Sequence, residues 1–198
     1  MIANPFPRIP YAEAARDLLR DSVMTAVDEL IRRNGWAATS VAAVAAAAGV
    51  SRQTIYKEFG SRRSLADAYI VNRLDDLMDA VDKIMADAPD SETGLRDAFN
   101  LFFDMIDEPL IQIVLTGDMG ELVELVRETN ARATSRLSNV LKALCPTMTD
   151  YDAVMFGDSM ARIAISHAVV PAVERNDAIN RLIHLAMFVI NTYQVDEK

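Results

Sequence analysis

Apolar residues recur at spacings of three and four along nearly the whole chain, and no useful length of sequence alternates with the period of two that a strand requires. Residues 41–50 are short enough for a buried strand, but their run of alanines favours a helix. Glycine and proline mark where one helix ends and the next begins. The sequence therefore predicts an all-α fold, with helices over about 12–34, 41–49, 52–59, 62–86, 92–107, 109–116, 119–144, 150–170 and 176–193.

The composition is that of a folded globular chain rather than a linker or a disordered segment. Of the 198 residues, 51% are hydrophobic and 25% are charged, and glycine and proline number seven each. The longest apolar run, residues 41–50, is too short to cross a bilayer, and no secretory signal is expected. Cys145 is the single cysteine, so no intrachain disulfide is expected and a reducing cytoplasm is the expected location. Residues 1–10, which contain three prolines, are predicted to form a flexible arm.

Charge is distributed unevenly along the chain, whose net charge is -9. Residues 8–63 hold nine Arg or Lys and six acidic residues, a balance of +3 that leaves -12 for the rest of the chain. Within residues 51–63 the balance is four basic residues to one acidic residue. A basic region on an otherwise acidic protein can bind a polyanion at one end and repel it elsewhere, so the acidic total does not exclude nucleic acid as a partner.

A glycine turn between two short helices is the most informative local feature. Gly49 supplies a backbone conformation that other residues disfavour, and Ser51 is placed to cap the helix that follows. Helical periodicity turns Val50, Ile55 and Phe59 inward. The outward positions carry Arg52, Gln53, Thr54, Tyr56 and Lys57. Donor-rich side chains at the N-terminal end of a second short helix are the arrangement that a helix-turn-helix presents to the major groove.

This pattern resembles the DNA-binding domain of TetR-family transcriptional repressors over residues 12–85. The family pattern combines a glycine-aromatic pair before helix two, an Ala-Gly-Val-Ser turn and a third helix that ends Tyr-x-x-Phe. The matched residues are Gly35, Trp36, Thr39, Ala45, Ala48, Gly49, Val50, Ser51, Tyr56, Phe59, Ser61 and Arg62. The chain departs from the pattern in helix two, which has alanine and valine where the family usually has a charged residue. It also has Arg62 where the family usually has lysine, and arginine retains the ability to bind phosphate.

The resemblance implies a division into domains and a set of DNA contacts. It implies a three-helix helix-turn-helix domain over 11–60, a connecting helix four over 61–88, and a ligand-binding and dimerisation domain over 89–198. Thr39 or Ser40, Tyr56 and Arg62 would contact phosphate, which sets position and affinity. Arg52, Gln53, Thr54 and Lys57 would face bases or adjacent phosphates. The residues themselves leave a structural alternative open, in which Tyr56 packs between helices one and four and the basic side chains are only solvated.

The C-terminal half is expected to hold a dimer interface and a cavity for an effector. The helices over 151–170 and 176–193 are apolar over more than one face, which favours burial against a partner subunit. The segment 162–171 resembles members of the family linked to alkane or fatty-acid metabolism, and aromatic and methionine side chains favour an acyl chain or a ring. The predicted effector residues are Phe99, Phe102, Phe103, Met119, Met155, Arg162 and His167. For any single Phe or Met of this set, ordinary core packing is the alternative.

Two of these residues have competing interpretations. Asp158 lies four residues before Arg162, so the two side chains could form an ion pair on one helix face. Alternatively, Arg162 could bind a carboxylate of the effector. If Arg162 is paired with Asp158, a neutral or cationic effector is expected, since the body is acidic. His167 is either a hydrogen-bonded core residue or an effector contact.

Enzymatic and metal-dependent functions fit the sequence poorly. Two histidines and one cysteine without His-x-x-x-His or Cys-x-x-Cys spacing give no metal site, and no cofactor is expected. Ser166 and His167 are adjacent on a helix and point to different faces, which disfavours a catalytic triad. The sequence therefore predicts a homodimeric repressor that binds a palindromic double-stranded operator, is released by a small, mostly apolar effector, and does not associate with a membrane. The alternative is a helical effector-binding or partner-binding dimer without operator recognition.

Overall fold

The fold is that of a computed structural model, which describes residues 11–106 and 119–194. Those residues form eight α-helices and no strand, so the predicted all-α class is confirmed. Within these two ranges, none of the helices combines the length and apolarity that crossing a bilayer requires. The helices are α1 Tyr11–Ala38, α2 Val41–Ala47, α3 Arg52–Phe59, α4 Arg62–Asp87, α5 Ser91–Ile106, α6 Met119–Leu144, α7 Asp150–Val169 and α8 Arg175–Gln194.

The backbone divides into two compact units, Met1–Tyr69 and Ile70–Lys198, and the division falls inside α4. The described part of the first unit contains α1, α2, α3 and the start of α4. Its core takes one or more large apolar side chains from each of these helices. The most deeply buried are Val23, Val27, Ile31, Val44, Ile55 and Leu65. Because each of the four helices buries one or more of these side chains, the rotation of each helix about its axis is fixed.

Serine side chains cap three of the helices in the first unit, the third being α4, where Ser61 Oγ accepts a hydrogen bond from the Ser64 amide at 3.0 Å. Ser40 Oγ accepts a hydrogen bond from the Ala43 amide at 3.1 Å, which selects Ser40 rather than Thr39 as the N-cap of α2. Ser51 Oγ accepts from the Thr54 amide at 3.0 Å at the start of α3. Each cap satisfies an amide that the first turn of a helix leaves without a partner.

Three glycines in the first unit lie in the left-handed region that L side chains disfavour. The φ angles are 74° at Gly35, 69° at Gly49 and 86° at Gly60. At Gly49 an added Cβ would meet nothing within 4 Å, so the requirement there is conformational rather than steric. At Gly35, where the sequence predicted the first helix to end, the chain kinks instead, and helical backbone resumes and ends at Ala38.

The described part of the second unit is a set of long helices around apolar clusters. One cluster joins α4, α5, α6 and α7 and contains Leu77, Met78, Val81, Ala98, Ala133 and Ala161. Helices α6 and α7 run antiparallel and approach closely at Gly157. A Cβ at Gly157 would lie 3.0 Å from Ser138 Oγ and 3.1 Å from the Thr134 carbonyl oxygen, so only glycine fits without a shift of α6.

The observed helix bounds differ from the predicted ones by a few residues at most. Helix α2 ends at Ala47, slightly before the predicted end near Gly49, and α1 extends beyond the predicted end at residue 34. The predicted arm over 1–10 and the predicted short helix over 109–116 lie outside the described residues.

Candidate DNA interface and effector cavity

The outer face of α3 presents the polar side chains that the sequence predicted for it. Ile55 and Phe59 are buried, and this fixes which side of the helix faces away from the core. Tyr56, with 49% of its surface exposed, lies on that outer side and does not pack as a core residue. The exposed outer residues are Arg52, Gln53, Tyr56 and Lys57. These four side chains, which lie within six residues, can donate hydrogen bonds to phosphate oxygens and base edges.

Thr54 differs from its neighbours on α3. It is half-buried, and its hydroxyl lies 2.8 Å from Ser51 Oγ, which in turn caps the Thr54 amide. The Thr54 side chain therefore contributes to the start of α3 as well as to its surface. The Ser51 cap stabilises the N-terminal turn of α3, in which Arg52 and Gln53 are exposed.

An acidic residue on α3 holds this helix to α1. Glu58, 12% exposed, accepts hydrogen bonds from Arg16 Nε at 2.8 Å and Arg20 Nη1 at 2.6 Å. The Arg20 guanidinium also lies over the Phe59 ring, 5.0 Å from its centroid. Burial of Glu58 opposes ionisation, but hydrogen bonds and charge from Arg16 and Arg20 outweigh it and hold the pKa of Glu58 below its usual range.

Thr39 and Arg62, which were predicted to contact phosphate, have partners inside the protein. Thr39 is buried, and its hydroxyl donates to the Gly35 carbonyl at 2.9 Å. Arg62, the first residue of α4, donates from Nε to the Thr39 carbonyl at 3.1 Å and from Nη2 to the Trp36 carbonyl at 2.6 Å. Its guanidinium lies 4.2 Å from the centroid of the Trp36 ring. Ser40, at the start of α2, and Arg62 are both exposed residues.

The second unit contains an apolar cavity of about 220 Å³. Its walls come from α4, α5, α6, α7 and α8, and Phe99 and Phe102 are part of them as predicted. Thr129 is the one polar side chain among the described lining residues, and its hydroxyl already donates to the Leu125 carbonyl at 2.8 Å. The cavity therefore offers dispersion contacts and burial to an apolar molecule, and no charged partner.

The other predicted effector residues are not among those that line this cavity. Phe103 is buried in a cluster with Ile179 and Leu182 of α8, and its ring meets Phe102 edge to face at 5.3 Å. Met155 lies exposed on α7, and His167 is half-buried in the last turn of the same helix. Phe103, Met155, Arg162 and His167 therefore lie outside the lining of this cavity, and contact between an effector and any of them stays a prediction. The Met119 side chain lies outside the described part of the chain.

Arg162 forms the ion pair with Asp158, which was one of the two alternatives predicted from the sequence. Its Nε donates to Asp158 Oδ2 at 2.7 Å, and Asn130 Nδ2 of α6 donates to Asp158 Oδ1 at 2.7 Å. Hydrogen bonds from Arg162 and Asn130 hold the pKa of Asp158 below its usual range. Arg162 lines an open groove between α6 and α7, so its charge faces away from the apolar cavity.

Aliphatic side chains form much of the cavity wall, and they were not among the residues predicted from the sequence. Leu74, Met78 and Met85 contribute from α4, and Leu137 and Leu141 contribute from α6. The available signal was the apolar stripe on each helix, which identifies a buried face without showing whether that face meets atoms or empty space.

Large apolar side chains also remain exposed on α7 and α8. On α7 they are spaced by three and four residues, and on α8 they are spaced by three, so each set forms a stripe on its helix. We call these residues the α7/α8 face: Tyr151, Val154, Met155, Leu185 and Phe188. Exposed apolar stripes of this kind mark candidate interaction surfaces.

Known proteins similar to this chain identify its family. The family model for bacterial regulatory proteins of the tetR family matches residues 23–69, and the model for the C-terminal domain of the bacterial tetracyclin repressor matches residues 90–187. The HTH-type transcriptional regulator AlkX of Mycobacterium tuberculosis is 36% identical over 188 residues, which cover 91% of this chain and 89% of that relative. The chain belongs to the TetR family. It is therefore a helix-turn-helix transcriptional regulator and not an enzyme, as the sequence predicted.

Solved structures of TetR-family members share the fold. The TetR-family repressor AlkX from a Dietzia species, implicated in biodegradation of n-alkanes, has a TM-score of 0.73 and 26% identity, and covers 88% of this chain and 96% of its own. FadR from Thermus thermophilus, solved with lauroyl-CoA, has a TM-score of 0.61 and 19% identity, with coverage of 85% and 93%. At that identity the second comparison shows the fold alone.

Proposed function

We propose that this regulator is a repressor that binds a palindromic operator as a homodimer and leaves it when an apolar effector enters the cavity. The single observation that carries the DNA-binding half is the outer face of α3. This face presents Arg52, Gln53, Tyr56 and Lys57 to solvent, while Ile55 and Phe59 hold the helix to its core. The action of such a repressor belongs in the cytoplasm, where bacterial DNA lies.

The exposed side chains divide into two roles in DNA recognition. Arg52 and Gln53, in the first turn of α3, suit base edges, because arginine pairs with guanine and glutamine with adenine in the major groove. Tyr56, Lys57 and the exposed cap Ser40 suit phosphate oxygens, which fix the register of the protein on the duplex. Thr54 supports the first turn through Ser51 and can add a contact from its edge.

A homodimer is supported by the α7/α8 face. Phe188 is 71% exposed, and its neighbours on this face are large apolar side chains that a partner copy would remove from water. Two copies of α7 and α8 would form a four-helix bundle about a two-fold axis. A two-fold dimer presents two copies of α3, and this requires an operator with two inverted half-sites.

The dimer can be tested with a charge placed on that face. Phe188→Arg should convert a dimer into monomers in analytical ultracentrifugation without unfolding the chain, because the substituted side chain is already exposed. Leu18→Arg is the matched control, since Leu18 is 68% exposed on α1 and lies outside the α7/α8 face. A parent chain that sediments as a monomer at every concentration contradicts the proposal.

The effector is a molecule with an uncharged hydrocarbon part that fills the cavity. The described lining has no charged side chain, and the Thr129 hydroxyl is already donated to backbone carbonyls. An ionised carboxylate inside this space would lose its hydration without gaining a partner. The related AlkX from Dietzia is implicated in n-alkane biodegradation and FadR was solved with lauroyl-CoA, so alkanes and acyl chains are the compounds to test first.

Binding at the cavity and binding at the operator should be linked through α4. The cavity is lined by α4 residues from Ile70 to Met85, and the same helix begins at Arg62. In the family mechanism, effector binding moves helix four and changes the separation of the two recognition helices. Linkage makes the effect reciprocal, so operator DNA must weaken effector binding by the same factor.

Selection from a random pool of double-stranded DNA tests the DNA-binding proposal. The expected product is an inverted repeat that the parent chain binds with a steep dependence on salt, because several Arg and Lys side chains displace counterions. The variant with both Tyr56→Ala and Lys57→Ala should recover no such repeat while remaining folded. Recovery of no enriched sequence by the folded parent would favour the alternative of an effector-binding dimer without operator recognition.

A further inference from the structure

Arg62 occupies a position from which a phosphate contact is expected, yet its side chain is committed to the protein's own backbone. Its Nε and Nη2 donate to the carbonyls of Thr39 and Trp36 at 3.1 Å and 2.6 Å. These two nitrogens form one of the two edges of the guanidinium with which arginine can bind a phosphate or carboxylate through two parallel hydrogen bonds.

The aromatic contact fixes the same side chain from a second direction. The guanidinium carbon lies 4.2 Å from the centroid of the Trp36 ring, and Trp36 is only 4% exposed. A cation over the face of an indole ring is stabilised electrostatically, and Arg62 makes this contact although it is itself an exposed residue. The Arg62 guanidinium is therefore held in its own plane by two hydrogen bonds and on one face by the Trp36 ring.

The segment that Arg62 grips is the turn between α1 and α2. The Trp36 carbonyl also accepts the Thr39 amide at 3.0 Å, and the Thr39 hydroxyl donates to the Gly35 carbonyl at 2.9 Å. The left-handed backbone at Gly35 turns these carbonyls out of the α1 ladder. Arg62 donates to two carbonyls of this turn, those of Trp36 and Thr39, and so gives their lone pairs a further partner.

We propose that Arg62 is a positioning residue, which ties the start of α4 to the α1–α2 turn and thereby sets the turn and its cap Ser40 for operator binding, rather than a phosphate contact. This inference rests on the proposed DNA-binding function. It also gives α4 a defined attachment to the helix-turn-helix, because Arg62 is the first residue of the helix whose later part lines the cavity.

The lysine variant separates the two roles of Arg62. Arg62→Lys keeps one positive charge, which suffices for a phosphate contact. A lysine ammonium is a point charge and cannot donate a planar fork to two carbonyls while lying flat on an indole ring. If Arg62 positions the turn, Arg62→Lys should therefore fail to rescue the defect of Arg62→Ala.

Trp36 offers a direct readout because it is the single tryptophan of the chain. Without DNA, both Arg62→Ala and Arg62→Lys should change Trp36 emission, since each removes the planar guanidinium that lies over the ring. Lys83→Ala is the matched control, because Lys83 is exposed on α4 about six turns after Arg62 and its loss removes the same charge. Lys83→Ala should leave the Trp36 emission unchanged.

Operator binding supplies the second readout, measured at several salt concentrations with folding checked by circular dichroism. We expect both Arg62 variants to bind about tenfold more weakly than the parent, with an unchanged slope of log affinity against log salt. Lys57→Ala should instead reduce that slope by about 0.9, the value for one lost phosphate contact. A loss of fold stability alone would not weaken operator binding by variants that are fully folded at the assay temperature.

Two results would overturn the positioning role. One is full operator affinity in Arg62→Lys together with a slope reduced by about 0.9 in Arg62→Ala, which assigns Arg62 to phosphate. The other is unchanged Trp36 emission in both Arg62 variants. If the parent chain binds no operator at all, the proposed function fails separately, and the DNA-free emission still decides whether Arg62 holds the turn.

Discussion

The outer face of α3 and the cavity of the second unit present opposite chemistries. The α3 face is a row of exposed donors held in place by two buried side chains, a serine cap and the Glu58 ion pairs. The cavity is an apolar space in which Thr129 is the one polar side chain among the described lining residues. A polar surface discriminates through hydrogen-bond geometry, whereas an apolar cavity discriminates through size and shape. Substitutions on the α3 face should therefore change operator binding, whereas substitutions in the cavity should change the response to an effector.

The largest effect is expected on the unfolding free energy of Phe103→Ala. Comparison of this variant with Phe102→Ala distinguishes a core residue from a residue that lines the cavity. Phe103 is buried against α8, so its truncation should cost about 3 kcal/mol of unfolding free energy, as for other buried aromatic side chains. Phe102→Ala, which enlarges the cavity, should change the response to an effector and leave operator affinity nearly intact. Urea unfolding of both variants checks the stability difference. Equal stability loss with identical effector response would mean that the two rings share one role.

The next largest effect belongs to the α3 face. The variant with Tyr56→Ala and Lys57→Ala should lose about 2 kcal/mol of operator-binding free energy, because two phosphate contacts are removed. Its thermal unfolding should match that of the parent, since both side chains are exposed. Fluorescence anisotropy with labelled operator measures the loss. A variant that binds as tightly as the parent would remove α3 from the proposed interface.

Filling the cavity should act only on the effector response. Ala133 is buried in the cavity wall, and Ala133→Leu would occupy part of the space of about 220 Å³. We expect weaker binding of an uncharged alkyl probe such as 1-octanol, by about tenfold, with operator affinity unchanged. Isothermal titration with 1-octanol measures the probe affinity. Parent-like 1-octanol affinity would place the effector site elsewhere.

The smallest effect concerns the attachment of α3 to α1. Glu58 has a folded-state pKa below its usual range, so its ion pairs stabilise the fold at neutral pH, and that stabilisation is lost as pH falls through the folded-state pKa. Glu58→Gln should cost about 1 kcal/mol at pH 7, and the difference from the parent should shrink between about pH 5 and pH 3. Unfolding curves across this range measure it. A difference that stays constant with pH would mean that Glu58 is not stabilised as a carboxylate.

The sequence predicted the α3 face more fully than the cavity for a physical reason. The exposed positions of a short helix follow from the helical period once its buried residues are known. In α3 these are Ile55 and Phe59, and both can be recognised from the neighbouring sequence alone. The cavity is the space left where five helices meet, and no single helix encodes it. Met155 and His167 belong to the same apolar helix as Met160, but only Met160 is turned toward the cavity.

Arg62 illustrates a different limit of sequence reasoning. An arginine at the start of a helix in a basic region has the same sequence signature whether its fork meets a phosphate or two backbone carbonyls. The turn at Gly35 and the buried ring of Trp36 decide between these partners, and both depend on the packing of α1 against the start of α4. The pairing of Arg162 with Asp158 was predictable as one of two alternatives, because spacing by four residues places both on one helix face.

The most direct test of the account is release of the labelled operator by an apolar probe. The operator recovered by selection is bound to the parent chain, 1-octanol is added, and anisotropy is followed alongside the same titration of Ala133→Leu. We predict that 1-octanol releases the operator from the parent at lower concentration than from Ala133→Leu, and that operator weakens 1-octanol binding to the parent by the same factor. An operator complex that stays intact while 1-octanol saturates the parent would contradict the link between the cavity and the α3 face.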